Sequence, residues 1–186
     1  MFDHFDILAP FYDWFLGSSH PKSLGRLLKL PCRGWMLDAG GGTGRVSAHF
    51  RQSVGNLVVS DTSRQMLLQS IRKRINAVLA EIEKLPFPDS SFDRVVIVDA
   101  LHHFYDQQTA LRESLRVLRT GGRLIIEEPD FNQFVVRAAA IVEKIFRMRS
   151  CFLTPEEICK IISDCGQAAR IEETGGFRSW ILVDKV

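Results

Sequence analysis

From Gly34 onward, apolar runs of strand length alternate with amphipathic stretches of helix length, the pattern left by βαβ units wound around a parallel sheet. Strands are predicted near 34–38, 57–60, 77–80, 93–98 and 122–127, with two more near 169–173 and 180–185. Helices are predicted near 43–52, 63–74, 106–118, 133–148 and 155–164. Ser63 and Asp106 are placed to cap two of them, and Thr154-Pro155-Glu156-Glu157 joins an N-cap to a proline at the first helical position. Gly121-Gly122 reads as the end of one helix and the start of the next strand.

The first 31 residues have another character. Phe2, Phe5, Leu8, Phe11, Tyr12, Phe15 and Leu16 form a helix-spaced aromatic stripe broken by Pro10, and Leu24, Leu27, Leu28 and Leu30 follow as a second amphipathic piece. This is a helical pair packed on the sheet edge, a lid over a bound ligand with Tyr12 and Asp13 facing it, or both.

A chain of 186 residues with 46% hydrophobic content suits one domain with a sizeable core. A net charge of +2 argues for neither a nucleic acid nor an anionic membrane as partner. The cysteines, Cys32, Cys151, Cys159 and Cys165, form no C-x-x-C pair and stand at no zinc-ligand spacing, so they read as buried free thiols and no metal is expected. The N-terminus lacks a basic n-region and a continuous apolar h-region, and no apolar run approaches the ~20 residues of a spanning helix. The expectation is a soluble cytoplasmic protein.

Leu37-Asp38-Ala39-Gly40-Gly41-Gly42-Thr43-Gly44-Arg45 carries the chemistry. It follows an apolar strand and precedes a helical pattern, so the glycines occupy a strand-to-helix turn where a ligand can approach the bare backbone. A dinucleotide fingerprint needs G-x-G-x-x-G, whereas Gly40, Gly42 and Gly44 give G-x-G-x-G. Asp38 would repel a pyrophosphate but suits a ligand bearing an ammonium and a sulfonium, and S-adenosylmethionine is such a ligand. Asp61 ends the second strand about 20 residues after the turn, where a carboxylate can accept from both ribose hydroxyls.

Past the third strand, the Glu81 side chain can accept from an adenine amine while the Ile82 amide donates to a ring nitrogen. The fourth strand runs into Asp99-Ala100-Leu101-His102-His103-Phe104, which puts two imidazoles at the edge of the expected pocket. Neighbours in a turn seldom face the same way, so one of the two points elsewhere.

The series LDAGGGTGR, VVSDTSRQML, EKLPFPDSSFDRVVIVDALHHF and LRVLRTGGRLIIEEP resembles class I S-adenosylmethionine-dependent methyltransferases, specifically the methyltransferase type 11 group that includes ubiquinone and menaquinone C-methyltransferases. The resemblance is close over residues 34–129, and FDILAPFYDWF is similar to that group's aromatic entry segment. Leu153-Thr154-Pro155-Glu156-Glu157, followed by Cys165-Gly166, resembles its final helix. The implied fold is α/β: a Rossmann-like, doubly wound, seven-stranded sheet, mostly parallel with an antiparallel last strand and helices on both faces. The implied organisation is a single methyltransferase domain over 1–186, with a helical lid at 1–31 and the Rossmann-like core at 32–186.

By the same resemblance, Asp38, Ala39 and the turn of Gly40, Gly41, Gly42 and Gly44 hold the methionine part of the cofactor, with Tyr12 closing on it from the lid. Asp61 binds the ribose, Thr62 and Met66 flank the adenine, and Glu81 and Ile82 recognise it. Asp99, Ala100, Leu101 and His102 lie beneath the methionine and near the transferred methyl, and His103, His102 and Asp13 are the candidate catalytic residues. The product is S-adenosylhomocysteine, and the acceptor is a small molecule, such as a quinol- or phenol-like ring carbon or oxygen. The short stretch between the fifth and sixth strands implies a compact acceptor site or one completed by another subunit, in a monomer or homodimer. An RNA or protein methyltransferase is the rival enzyme, although no N-P-P-Y type motif and no strongly basic face supports it. A noncatalytic S-adenosylmethionine-binding module is the rival of another class, recognisable by a blocked acceptor cavity. An NAD-dependent oxidoreductase has the wrong glycine spacing.

Overall fold

The computed structural model describes residues 21–129, 151–173 and 178–186. Tyr12 and Asp13 of the expected lid, and the helix expected over 133–148, lie outside the described residues. Helix α1 (Pro21–Leu27) leads into β1 (Cys32–Ala39), followed by β2 (Val54–Asp61), α2 (Arg64–Arg72), β3 (Asn76–Leu79) and β4 (Phe92–Val98). Then come α3 (Gln107–Val117), β5 (Leu118–Pro129), α4 (Pro155–Asp164), β6 (Ala169–Glu173) and β7 (Arg178–Asp184). The expected caps form: Ser63 accepts from the Met66 amide, Asp106 from that of Thr109, and Thr154 and Glu157 close a reciprocal capping box.

The strands make one seven-stranded sheet in the order β3-β2-β1-β4-β5-β7-β6. The first five run parallel, and β7 lies antiparallel to both β5 and β6. Because successive side chains of a strand point to opposite faces, the apolar runs feed two cores. Leu37, Val95, Ile97, Leu124, Ile126 and Ile181 pack against Leu111 and Leu115 of α3 and Ile158 and Ile162 of α4. Met36, Leu57, Val59, Val96, Ile125 and Leu182 pack on the other face with Leu24 of α1 and Leu67 of α2. The C-terminal end of α1 is tied to the sheet, since Arg94 donates to the Leu28 carbonyl and Arg123 to that of Leu27. No helix among the described residues is long and apolar enough to cross a membrane.

Two expectations are corrected. The helix placed over 43–52 is a series of turns ending in one 3-10 turn, Ser47–Phe50. Gly42 and Gly44 take φ of +53° and +67°, which a right-handed helix excludes, and β2 begins as early as Val54, so no room is left for a longer helix. The pair Gly121-Gly122 lies inside β5 and not at a helix end, because α3 already stops at Val117. There the Gly121 amide donates to the Lys185 carbonyl and the Gly122 carbonyl accepts from the Lys185 amide, extending the ladder with the chain after β7.

Candidate functional site

Strand order reverses between β1 and β4, because the chain moves outward through β2 and β3 on one side and through β5 on the other. Ligands of open α/β sheets bind outside the carboxyl ends of the strands at such a point. A cavity of about 560 Å³ opens there, between the turn after β1, the end of β2, the loop after β3 and the loop after β4. Its volume is in the range of small-molecule sites.

The turn after β1 is held from below. The Ser60 carbonyl accepts from the amides of Gly40 and Gly41, and Asp61 accepts from the Gly42 amide at 2.9 Å. Gly40 has φ +72°, and a Cβ there would fall 2.8 Å from Ala100 Cβ and 2.9 Å from the Phe104 ring, so only glycine lets the two loops meet. Asp38 sits under this turn, 2% exposed. Burial pushes its carboxyl up to about 7, the neighbouring Asp61 adding to the rise and Arg45 opposing it, and its Oδ1 has no hydrogen-bond partner. A buried carboxyl with an unsatisfied oxygen facing a glycine cradle fits a ligand that brings a cation.

Asp61 lines the cavity at the end of β2 while its Oδ1 accepts from the Ser63 amide at 2.8 Å. Thr62 and Met66 line the same side, Thr62 exposed at the rim and Met66 buried. Across from them, Glu81 is exposed at the mouth, whereas Ile82 is buried and gives its side chain to the core. A carboxylate on one wall, a second carboxylate at the mouth and a buried thioether between them are side chains of the kind that suit a nucleoside.

The loop after β4 divides its residues. Asp99, at φ +51°, Ala100 and His103 line the cavity. Burial and the adjacent His102 hold the His103 imidazole down at about 3, so it is neutral at physiological pH. His102 does not line the cavity: its Nδ1 meets Glu128 at 2.5 Å and its ring stacks on Phe152 at 4.5 Å. Glu128, on β5, also accepts from the amides of Ala100 and Leu101, which fixes the loop. Leu101 is likewise placed in the core. Ala39 and Gly44 stand behind the cavity wall, the latter packed so closely that a Cβ would lie 2.8 Å from Ser70 Oγ. Of the sixteen positions expected around the cofactor, Ala39, Gly44, Leu101 and His102 are therefore structural neighbours of the wall.

The sequence reading missed Thr43, Arg45, Val46, Ser63, Glu83, Val98, Phe104 and Tyr105 as lining residues. Arg45 directly follows the last glycine and Phe104-Tyr105 directly follow the histidines, so adjacency to the motifs was the available signal. Glu83 is less legible, because its contact is nonlocal: its carboxylate accepts from the amides of Tyr105 and Asp106 and ties the loop after β3 to the loop after β4.

The family model described as a methyltransferase domain matches residues 37–126. The ubiquinone/menaquinone biosynthesis C-methyltransferase UbiE of Pectobacterium atrosepticum is 33% identical over 150 residues, which make 75% of this chain and 58% of that protein. The protein of the same name from Pseudomonas fluorescens is 34% identical over 131 residues, 64% of this chain and 49% of its own. The chain thus spans about half the length of the curated relatives it matches. A solved structure from Thermotoga maritima, described as an S-adenosylmethionine-dependent methyltransferase and possible histamine N-methyltransferase, is similar with a TM-score of 0.82 over 98% of both chains. At 21% identity that likeness shows a common fold.

Proposed function

The chain belongs to the class I S-adenosylmethionine-dependent methyltransferases, in their type 11 group, and from that membership we propose that it methylates a small-molecule acceptor. The observation that carries this reading is the convergence of Asp38, Asp61 and the turn at Gly40 and Gly42 on one cavity at the point of strand reversal. In this reading Asp38 takes the ammonium, Asp61 the ribose hydroxyls, Met66 and Thr62 flank the adenine, and Glu81 meets its amine. Bound there, S-adenosylmethionine supplies an electrophilic methyl and leaves as S-adenosylhomocysteine.

The work of the chain is then positioning. Methyl transfer is an in-line displacement, and fixing nucleophile and methyl in line is worth effective molarities on the order of 10⁵–10⁸ M in well-oriented systems. The rigid loop after β4, clamped by Glu128, supplies that fixity on the methyl side. His103 faces the cavity as a neutral imidazole, which orients a hydroxyl by hydrogen bonding and takes up a proton poorly. This favours an acceptor that brings its own electron pair, such as a phenolate oxygen or an activated quinol ring carbon. The relatives named as ubiquinone/menaquinone C-methyltransferases point to the same class of acceptor. All four cysteines are free, Cys151 exposed and the other three half-buried where buried thiols were expected, and free thiols of that kind accord with action in the reducing cytoplasm.

Calorimetry with S-adenosylhomocysteine, followed by mass spectrometry of quinols and phenols incubated with protein and S-adenosylmethionine, tests the proposal. Saturable binding and a product heavier by one methylene unit support it. An absence of binding overturns it, and binding without transfer to any acceptor leaves the noncatalytic module as the better reading.

A further inference from the structure

The net charge of +2 conceals an uneven distribution. From Thr62 to Ala80 the chain carries Arg64, Arg72, Lys73 and Arg74 and no acidic residue, and the carboxylates that bracket this stretch, Asp61 and Glu81, belong to the cavity. On α2, Arg64, Leu68, Ile71 and Arg72 follow the i, i+4, i+7, i+8 rhythm of one helical face, opposite the buried Met66 and Ser70. Leu68 is 39% exposed and Ile71 54%. Lys73, on the other flank of the helix end, reaches Thr43 in the turn after β1, so the flank with Leu68 and Ile71 is turned toward the outer edge of the sheet, where β3 is the last strand. Leu79 of β3 is 59% exposed and shares a sheet face with Ala77, which packs on the core that holds Leu67 of α2. Arg64, Arg72 and Arg74 are exposed, and no carboxylate among the described residues pairs with them. Arg72 donates to Gln69 of its own helix.

Aliphatic side chains set among unpaired arginines call for a partner that is both apolar and anionic. A nucleic acid would neutralise the guanidinium groups and leave Leu68, Ile71 and Leu79 in water. A bilayer with anionic headgroups takes both kinds of side chain, the arginines at the phosphates and the aliphatics at the acyl boundary. We propose that this face seats the protein on the surface of an anionic lipid bilayer, with Leu68, Ile71 and Leu79 entering the interface and Arg64, Arg72 and Arg74 resting on the headgroups. Such attachment involves one leaflet and needs no spanning helix. Arg64 follows Thr62 by two residues and Leu79 precedes Glu81 by two, and Thr62 and Glu81 both line the cavity, so the attached protein holds the rim of the cavity beside the lipid. The inference does not depend on which ligand the cavity takes.

Flotation of the full chain with vesicles of phosphatidylcholine alone, and of phosphatidylcholine mixed equally with phosphatidylglycerol, tests the assignment. The expected result is binding to the mixed vesicles, much weaker binding to the neutral ones, and release by salt. Arg64→Gln combined with Arg72→Gln lowers the partition coefficient for mixed vesicles roughly 30-fold, at about 1 kcal/mol for each basic residue near an anionic surface. Leu68→Gln combined with Ile71→Gln lowers it roughly 10-fold or more. Arg33→Gln combined with Arg112→Gln makes the same change of charge away from this face and leaves the partition coefficient unchanged. All six side chains are exposed, and urea-unfolding midpoints matching that of the wild type certify that the variants are folded. A wild-type chain that binds no vesicle, or both kinds equally, overturns the proposal. An equal loss in the Arg33 and Arg112 variant overturns it too, because net charge is then responsible. Retention of polyuridylate that survives Leu68→Gln with Ile71→Gln, in a chain that ignores vesicles, makes the face a nucleic-acid surface instead. A dimer that the same apolar variant converts to a monomer assigns the face to a second copy of the chain, which equally overturns attachment to lipid.

Discussion

One carboxylate oxygen of Asp61 accepts from the Gly42 amide at 2.9 Å while the other accepts from the Ser63 amide at 2.8 Å. A single side chain thereby ties the glycine turn after β1 to the first turn of α2, from a position that also lines the cavity. Asp61→Ala should therefore weaken S-adenosylhomocysteine binding by about 1–3 kcal/mol and also lower the unfolding midpoint in urea. Asp61→Asn keeps one acceptor and should fall between the two in both measurements. Unchanged affinity in Asp61→Ala would separate the turn-holding role from ligand binding.

Asp38 makes the site sensitive to pH. Its carboxyl is at about 7 in the folded chain against an ordinary value of 3.8, so the native state binds the extra proton between those limits. The corresponding stability is present below about pH 4 and is lost as pH rises through 7, with a total on the order of a few kcal/mol. Asp38→Asn should accordingly melt higher than the wild type at pH 8, by a margin that shrinks as pH falls from 7 and closes only near pH 4. It should also bind S-adenosylmethionine more weakly. In the wild type near pH 7, arrival of a cationic ligand should expel the Asp38 proton, so the calorimetric enthalpy should change with the ionisation enthalpy of the buffer.

His103 titrates in the opposite sense. Held at about 3 instead of 6.5, it contributes stability that is present above about pH 6.5 and is lost as pH falls through that window toward 3. At saturating cofactor and acceptor, kcat should show no ionisation near 6.5 that disappears in His103→Gln. His103→Ala should lower turnover and spare S-adenosylhomocysteine affinity. Equal turnover in that variant would leave His103 as part of the wall only.

Glu128 organises the loop after β4 from inside. It is 5% exposed, accepts from two backbone amides and pairs with the buried His102. Glu128→Ala should cost about 3–5 kcal/mol in urea unfolding, as expected when one partner of a buried pair is removed. Glu128→Gln retains an acceptor for the two amides and should cost less.

The order of strands and helices was legible because each element is specified by neighbours in sequence: alternating apolar runs for the strands, and Ser63, Asp106 and Thr154 for the helix starts. The glycine turn and the carboxylates before and after it were legible for the same reason, since a motif is a local pattern. The helix expected over 43–52 failed where local periodicity competed with positive φ at Gly42 and Gly44, and the backbone geometry won.

The division between the two histidines had no local signature. His102 and His103 are adjacent and chemically identical, and Glu128, 26 residues further along the chain, selects which of them is drawn inward. Glu83 likewise acquires its role from amides more than twenty residues away. Sequence alone determined the type of fold, the family and the glycine turn after β1, because these depend on spacing along the chain. Which side chains face the cavity, and with what charge, was decided by the sheet. Parallel pairing of β1 with β4 and of β4 with β5 brings Asp38, Arg45, Asp99 and Glu128 together, and burial then sets the protonation of Asp38 and His103.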